Sequence, residues 1–252
     1  MVTGGTGGTG GPGGTGVIGV IGGAGPLGRG LGLRWVLAGR SVLLGSRDRK
    51  RAQAAAQALR GELRQRLTAS PPAVRGGSNA DAAACELVVL TVPFQALGGV
   101  LPPLVDVLAG KLVVSCVNPL AFDATGPRPL TVPAGSAAQE VARLLPRSRV
   151  VGAFQHVPAA VLQDPAAQLD GDVLLTGDDP EDKAVAAALT GALPGLRAVD
   201  AGPLRLSAAV EDLTAVLITV NRRYRVRAGI RLTGLGDEAL DPPAGHPEVA
   251  EP

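Results

Sequence analysis

Gly23, Gly25 and Gly28 stand in the run Gly22-Gly23-Ala24-Gly25-Pro26-Leu27-Gly28, spelling G-x-G-x-x-G directly behind the apolar stretch Val17 to Gly22. In that context each glycine has a task. Gly23 makes the tight turn, Gly25 lets the backbone approach a pyrophosphate, and Gly28 lets helix and strand pack closely. The amides of the helix that follows would donate to the phosphate. About twenty residues beyond such a turn, NAD-binding chains place Asp or Glu on the ribose 2′-hydroxyl. This chain has Leu44-Gly45-Ser46-Arg47 there, with Arg51 one helical turn further on. A hydroxyl and two guanidiniums suit a 2′-phosphate through charge-assisted hydrogen bonds, so the expected cofactor is NADP(H).

Three more strand ends, Thr91-Val92-Pro93, Ser115 to Pro119 and Phe154 to Ala160, fall where doubly wound folds bind ligands and would line a nicotinamide crevice. The inventory of acids and bases is thin. His156 is the only histidine inside the domain, His246 lying in the tail, and it reads first as a satisfied or solvent-facing turn residue. No Cys-His pair, G-x-S-x-G elbow or metal-ligand spacing occurs. A reaction needing no protein acid or base fits this set, and direct hydride transfer between two bound cofactors is one.

These turns need strands and helices in alternation to position them. Val17 to Gly22 reads as a strand and Leu27 to Leu37 as a helix, followed by Ser41 to Leu44 (strand) and Asp48 to Leu67 (helix, with Asp48 at its dipole-favoured end). Asn79 or Asp81 opens a short helix before the strand Leu87 to Val92, which is apolar on both faces as a central parallel strand should be. Phe94 to Leu108 is helical but broken by Pro102 and Pro103, Leu112 to Ser115 is a strand, and 117–135 is a loop punctuated by Pro and Gly. Then come Ser136 to Leu145 (helix), Val150 to Phe154 and Val173 to Thr176 (strands), Glu181 to Leu189 (helix), Leu196 to Val199 (strand) and a last helix from about Pro203 to Val226. The expected fold is α/β, a doubly wound parallel sheet with helices on both faces and a smaller C-terminal α/β portion.

With 252 residues the chain can bury a continuous core. Its 36 Gly and 21 Pro crowd toward the ends, leaving an ordinary globular middle. The reading is a Gly-rich disordered tail over 1–16, an NADP-binding domain over 17–152, a smaller portion over 153–236 packed on it, and a disordered tail over 237–252. Five aromatic residues and a net charge of +2 argue against a nucleic-acid partner. No run reaches the roughly 18 apolar residues of a membrane span. The start lacks the pattern of a signal peptide, and Cys85 and Cys116 suit a reducing cytoplasm better than a disulfide framework. Small-molecule cofactors are the expected partners, and a homodimer is compatible with the reading.

The segments GGAGPLGRGLGLRWVLAG, LLGSRDRKRA, LVVLTVPF, KLVVSCVNPL, VVGAFQHVPAA, LLTGDD, VDAGPL and VEDLTAVLITVNRRYRVRAGIRLTGLG stand in an order and spacing that resembles the NADPH-dependent F420 reductases, over about 17 to 236. The SR-x-x-x-R/K and NRRY…AGIRLTG stretches are its specific parts. The resemblance implies a Rossmann fold and hydride transfer between NADP(H) and coenzyme F420, an 8-hydroxy-5-deazaflavin that serves as co-substrate. It implies that Ala24, Gly25, Pro26 and Leu27 contact pyrophosphate and ribose, that Ser46, Arg47 and Arg51 hold the 2′-phosphate, and that Val92, with Pro93 beside it, Asn118 and Ala159 face the nicotinamide half. Val157 and Pro158 would border the stacked deazaflavin. The family's turn commonly carries Thr at the position of Ala24 and a residue other than Pro at Pro26, and often His at the position of Gln155. Two further readings are a reductase of a small imine, keto acid or metal chelate, which would need a proton donor such as His156, and a non-catalytic NADP-sensing module.

Overall fold

The computed structural model describes residues 16–66 and 72–236. The expected tails over 1–15 and 237–252, and the expected helix end at Leu67, lie outside the described residues. In chain order the elements are β1 (Ile18–Ile21), α1 (Pro26–Leu37), β2 (Val42–Ser46), α2 (Arg49–Arg64), β3 (Val74–Ser78), α3 (Asn79–Ala83) and β4 (Leu87–Leu90). Short 3₁₀ turns and the helices α4 (Leu97–Val100) and α5 (Val105–Leu108) lead to β5 (Leu112–Ser115), β6 (Leu120–Asp123), β7 (Gly126–Pro129) and α6 (Ala137–Leu144). The chain ends with β8 (Arg149–Gly152), α7 (Ala159–Gln163), β9 (Gly171–Leu175), α8 (Pro180–Gly191), β10 (Leu196–Asp200) and α9 (Ser207–Tyr224).

Six strands form one parallel sheet in the order β3-β2-β1-β4-β5-β8. The chain therefore winds outward in one direction from β1 and in the other from β4, and the crevice where the order reverses lies beyond the carboxyl ends of those two strands. Alternation within the central strands feeds two cores. Val89 and Val114 enter a cluster with Leu31, Trp35 and Leu44 on one face, while Val88, Leu90 and Val113 enter a second with Leu104, Leu108 and Val141 on the other. Trp35 reaches furthest: its ring meets Phe154 edge-on at 6.0 Å, and its indole N–H donates to the carbonyl of Leu189 at 3.0 Å, tying α1 to α8. β9 and β10 form a separate parallel pair, joined to the end of β8 by a bridge in which Gly152 and Thr176 exchange both backbone hydrogen bonds.

Two departures from the sequence pattern matter. β3 reads Val74-Arg75-Gly76-Gly77-Ser78 and has no apolar run to betray it. Its glycines make room for helices: α2 lies directly upon Gly76, where a Cβ would sit 2.3 Å from the carbonyl oxygen of Ala52, and a Cβ on Gly77 would sit 2.6 Å from the Asp81 carboxylate of α3. The stretch 117–135, expected as loop alone, contains the antiparallel hairpin β6–β7, with Leu120 opposite Pro129 and Asp123 opposite Gly126. Proline is tolerated because this two-stranded ribbon needs no hydrogen bonds on its outer edges. Asp123 fixes the turn by accepting from the backbone N–H and the hydroxyl of Thr125.

Candidate active site

The crevice at the switch point is a cleft of about 690 Å³. Its floor is the glycine turn. Gly22 has φ +79°, a backbone conformation that glycine adopts without strain, and its N–H donates to the Asn79 side chain at 3.2 Å. Gly23 and Gly28 face each other under the turn: a Cβ on Gly28 would lie 2.6 Å from Gly23 Cα, and one on Gly23 would press on Val20 and Leu44. Gly25 differs. A Cβ there would meet only the Gly22 carbonyl oxygen, at 3.2 Å, and the residue otherwise borders the open cleft beside Ala24 and Pro26. Gly25 is also the N-cap of α1, with Pro26 in the first turn, no side-chain cap and no acidic residue in that turn. The uncapped, positive end of the helix dipole thus opens onto the cleft, and no fixed carboxylate of that turn opposes a phosphate. Leu27 and Gly28, though in the motif, do not line the cleft and act through their backbone and packing.

Ser46, Arg47 and Arg51 form the polar end of the cleft. Asp48 is the only carboxylate of the β2–α2 turn, and it is engaged as the α2 N-cap, accepting from the amides of Lys50 and Arg51. Ser46 Oγ accepts from the amide of Asp48 at 3.2 Å and keeps its hydrogen to donate. Among the described residues Arg47 and Arg51 have no ion-pair partner, whereas Arg49 pairs with Asp81 at 2.8 Å and Arg60 donates to the Val74 carbonyl. The two guanidiniums that the spacing selected are the ones that line the cleft, whereas Arg49 and Arg60 are occupied elsewhere.

The far wall comes from Thr91, Val92, Pro93 and Phe94 after β4, Asn118 after β5, and Leu120, Ala121 and Phe122 of the hairpin. Asn118 is held from behind: its amide nitrogen donates to the Gln155 carbonyl at 2.7 Å, and its oxygen accepts from the Thr214 hydroxyl at 3.3 Å. The segment after β8 thus touches the site through a backbone carbonyl. Val157, Pro158 and Ala159 do not line the cleft: Val157 is buried in the core, and Pro158 and Ala159 begin α7, which packs on α1. Arg34 pins that segment by donating to the carbonyls of Val161, Leu162, Asp164 and Ala167.

His156 is buried and also absent from the cleft, with Nε2 donating to the Asp172 carbonyl at 2.8 Å. Burial holds its pKa below the ordinary imidazole value, against the smaller opposing effects of that hydrogen bond and of the Asp172 charge. The lining residues that the sequence pattern did not reveal are Asn79, the turn and helix residues Phe94, Gln95, Ala96 and Val100, and the hairpin strand Leu120 to Phe122. No spacing marks them, because α3 and the hairpin reach the cleft by tertiary placement.

The family of the coenzyme F420-dependent NADP oxidoreductases matches residues 17–119. The F420-dependent NADP reductase of Methanocaldococcus jannaschii is 38% identical over 218 residues, covering 84% of this chain and 96% of that protein. Its counterpart in Methanothermobacter thermautotrophicus is 37% identical over 222 residues, covering 86% and 94%. Among solved structures, one from Arthrobacter sp. FB24, provisionally assigned as an F420-dependent NADP reductase, superposes with a TM-score of 0.71 at 26% identity, covering 85% of this chain and 97% of that one. An imine reductase from Bacillus cereus shares the fold at a TM-score of 0.53 and 19% identity. With its glycine turn, two arginines lining the cleft and relatives matched over nearly their whole length, the chain belongs to the F420-dependent NADP reductase family.

Proposed function

We propose that the chain transfers a hydride between C4 of NADP(H) and C5 of the deazaflavin of F420 within this cleft, by orientation alone. The observation that carries the mechanism is the composition of the lining: Arg47 and Arg51 are charged, and among the lining residues there is no carboxylate, imidazole, amine, thiol or phenol. Hydride transfer between the two rings requires the reacting carbons to be held roughly 3 to 3.5 Å apart, which is a task of positioning. Gly23, Gly25 and Gly28 shape the turn, the α1 end with Ala24, Pro26 and Leu27 takes the pyrophosphate, Ser46, Arg47 and Arg51 take the 2′-phosphate, and Val92, Pro93 and Asn118 border the nicotinamide. The imine or keto-acid reading loses support because its one candidate proton donor, His156, lies outside the cleft. Mixing the protein with NADPH and F420 should bleach the deazaflavin absorbance, and Gly25→Val should not; binding of NADPH without turnover would favour a sensing module instead.

The boundary between an NADP-binding part (17–152) and a C-terminal part (153–236) is supported by the last strand of the six-stranded sheet ending at Gly152. A homodimer is supported by α9, where Leu213, Val216, Leu217, Val220 and Tyr224 share one helical face and Val216 and Tyr224 are exposed. Sedimentation of Val216→Asp as a monomer, with wild type as a dimer, would test it. Cytoplasmic placement is supported by the free thiols of Cys85 and Cys116, and a small-molecule rather than nucleic-acid partner by the scarcity of aromatic residues. Among the described residues no helix is long and apolar enough to cross a membrane.

A further inference from the structure

Arg34 stands on α1, the helix that opens at the glycine turn, and spends its guanidinium on main-chain oxygens. Its Nε donates to the carbonyl of Leu162 at 3.1 Å, and Nη2 donates to those of Val161, Asp164 and Ala167 at 2.9, 2.6 and 2.7 Å. The acceptors are the end of α7 and the loop behind it. A helix of five residues leaves its last carbonyls to be satisfied from outside, and the planar fork of an arginine can serve several at once. Two further contacts join the same helices. Gly30 lets them touch, since a Cβ there would lie 2.6 Å from Leu162 Cβ. Gln163 Nε2 donates to the carbonyl of Pro26 at 3.1 Å, which sets the end of α7 against the first turn of α1, at the cleft.

The segment that leads into α7 reaches the other side of the cleft. β8 is fixed in the sheet as far as Gly152, opposite Ser115, and α7 begins at Ala159; between them the carbonyl of Gln155 accepts from the Asn118 amide at 2.7 Å. α1 therefore carries the glycine turn at its start and, on its flank, the helix that closes the segment holding Asn118. We propose that Arg34 is a positioning residue for hydride transfer: by seating α7 on α1 it fixes the segment between β8 and α7, and Asn118 with it, relative to the glycine turn. The proposal rests on the functional reading above, in which that turn holds the dinucleotide and Asn118 borders the nicotinamide. Arg34 does not line the cleft, so it acts on the alignment of the two rings through the backbone and touches neither substrate.

The test compares wild type with Arg34→Met and Arg34→Lys at a temperature where circular dichroism shows them folded. It measures the single-turnover rate of hydride transfer from NADPH to F420 and, separately, the affinity for each. A displacement of about 1 Å in the segment should slow transfer roughly 10- to 100-fold in Arg34→Met. NADPH affinity should stay within about twofold, so that the loss falls on the chemical step, and deuterium at C4 of NADPH should slow the variant at least as much as wild type. Arg34→Lys, which keeps part of the carbonyl contacts, should lie between the two. Gln163→Met, which removes the contact to Pro26, should show the same pattern in milder form and carries the test if Arg34→Met does not fold. A lowered melting temperature with an unchanged transfer rate in the folded variants would make the clamp structural only, and a rate loss matched by an equal loss of NADPH affinity would place its effect on binding; either result overturns the proposal. Wild type that binds both substrates without transferring hydride would overturn the functional reading together with it.

Discussion

Replacing Arg47 by Ala should convert a cofactor preference into near indifference, and the structure fixes both the size and the control. Arg47 lines the polar end of the cleft with no ion-pair partner among the described residues, so the substitution breaks no internal contact and leaves no buried carboxylate behind. A hydrogen bond to a charged group is worth about 1.5 to 3 kcal/mol, or roughly 10- to 150-fold in affinity. Because the side chain is exposed, screening by solvent and salt places the expected loss for NADPH near the lower bound, about 10- to 20-fold. NADH has no 2′-phosphate and should lose less than about twofold. Arg49 is the internal control: it points to Asp81 at 2.8 Å, and Arg49→Ala should leave NADPH affinity nearly untouched. Titrating both dinucleotides at two salt concentrations measures all of this, and the NADPH defect of Arg47→Ala should shrink as salt rises. Equal losses for NADPH and NADH, or an Arg49→Ala defect as large as that of Arg47→Ala, would refute the assignment of the 2′-phosphate to this turn.

Gly25→Val should abolish binding of both dinucleotides while folding is retained, because a Cβ at Gly25 meets little of the protein and its branches would instead fill the approach to the pyrophosphate; normal NADPH titration in that variant would move the phosphate site elsewhere. His156→Ala should lower thermal stability, since the ring is buried and donates to the Asp172 carbonyl, yet keep the single-turnover hydride rate within about threefold; a hundredfold loss with both substrates still bound would restore an acid–base role. Glu211 is buried, accepts from the amides of Ala137 and Ala138, and has its carboxyl pushed up to about 7, chiefly by burial. A carboxyl raised above its unfolded value of 4.5 contributes stability that is complete below that pH and is lost as pH rises through 7, a change of about 3 kcal/mol at 1.4 kcal/mol per unit. Denaturant midpoints between pH 5 and 8 should therefore fall in wild type relative to Glu211→Gln, and parallel curves would rule the effect out.

Most of the sheet was legible because parallel strands covered on both faces must be apolar throughout. Leu87 to Leu90 and Leu112 to Ser115 announce themselves in this way, and the glycine turn is readable because its spacing serves a fixed geometry. β3 was not legible, because its middle is two glycines, Gly76 under α2 and Gly77 against Asp81 of α3, with Val74 its one buried apolar side chain. The polar end of the cleft followed from Ser46, Arg47 and Arg51, local residues around one turn. The opposite end did not, since Asn79 and Phe122 reach the cleft only through the placement of α3 and of a hairpin concealed by its prolines.

The features that looked most like chemistry in the C-terminal part are instead one buried knot. Asp172 lies in β9 with its side chain fully buried. Burial alone would raise its pKa, but two hydrogen bonds from Arg197, one from the amide of Leu232 and the nearby Arg231 charge outweigh that and hold it below the usual carboxylate value. Its carbonyl accepts from His156 and its amide donates to the Ile230 carbonyl, while Arg197 also donates to the carbonyls of Leu232, Leu235 and Gly236. The stretch Ala228 to Gly236, so characteristic in sequence, is thereby strapped across β9 and β10, while His156 ties the segment after β8 to the same strand, β9. A buried ion pair of this kind contributes little net stability by itself, yet breaking it on one side is costly, which makes it a device for fixing one arrangement of chain. With the histidine and this ion pair committed to architecture, the residues that line the cleft are two arginines and neutral groups, which is the lining on which the proposal of transfer by orientation rests.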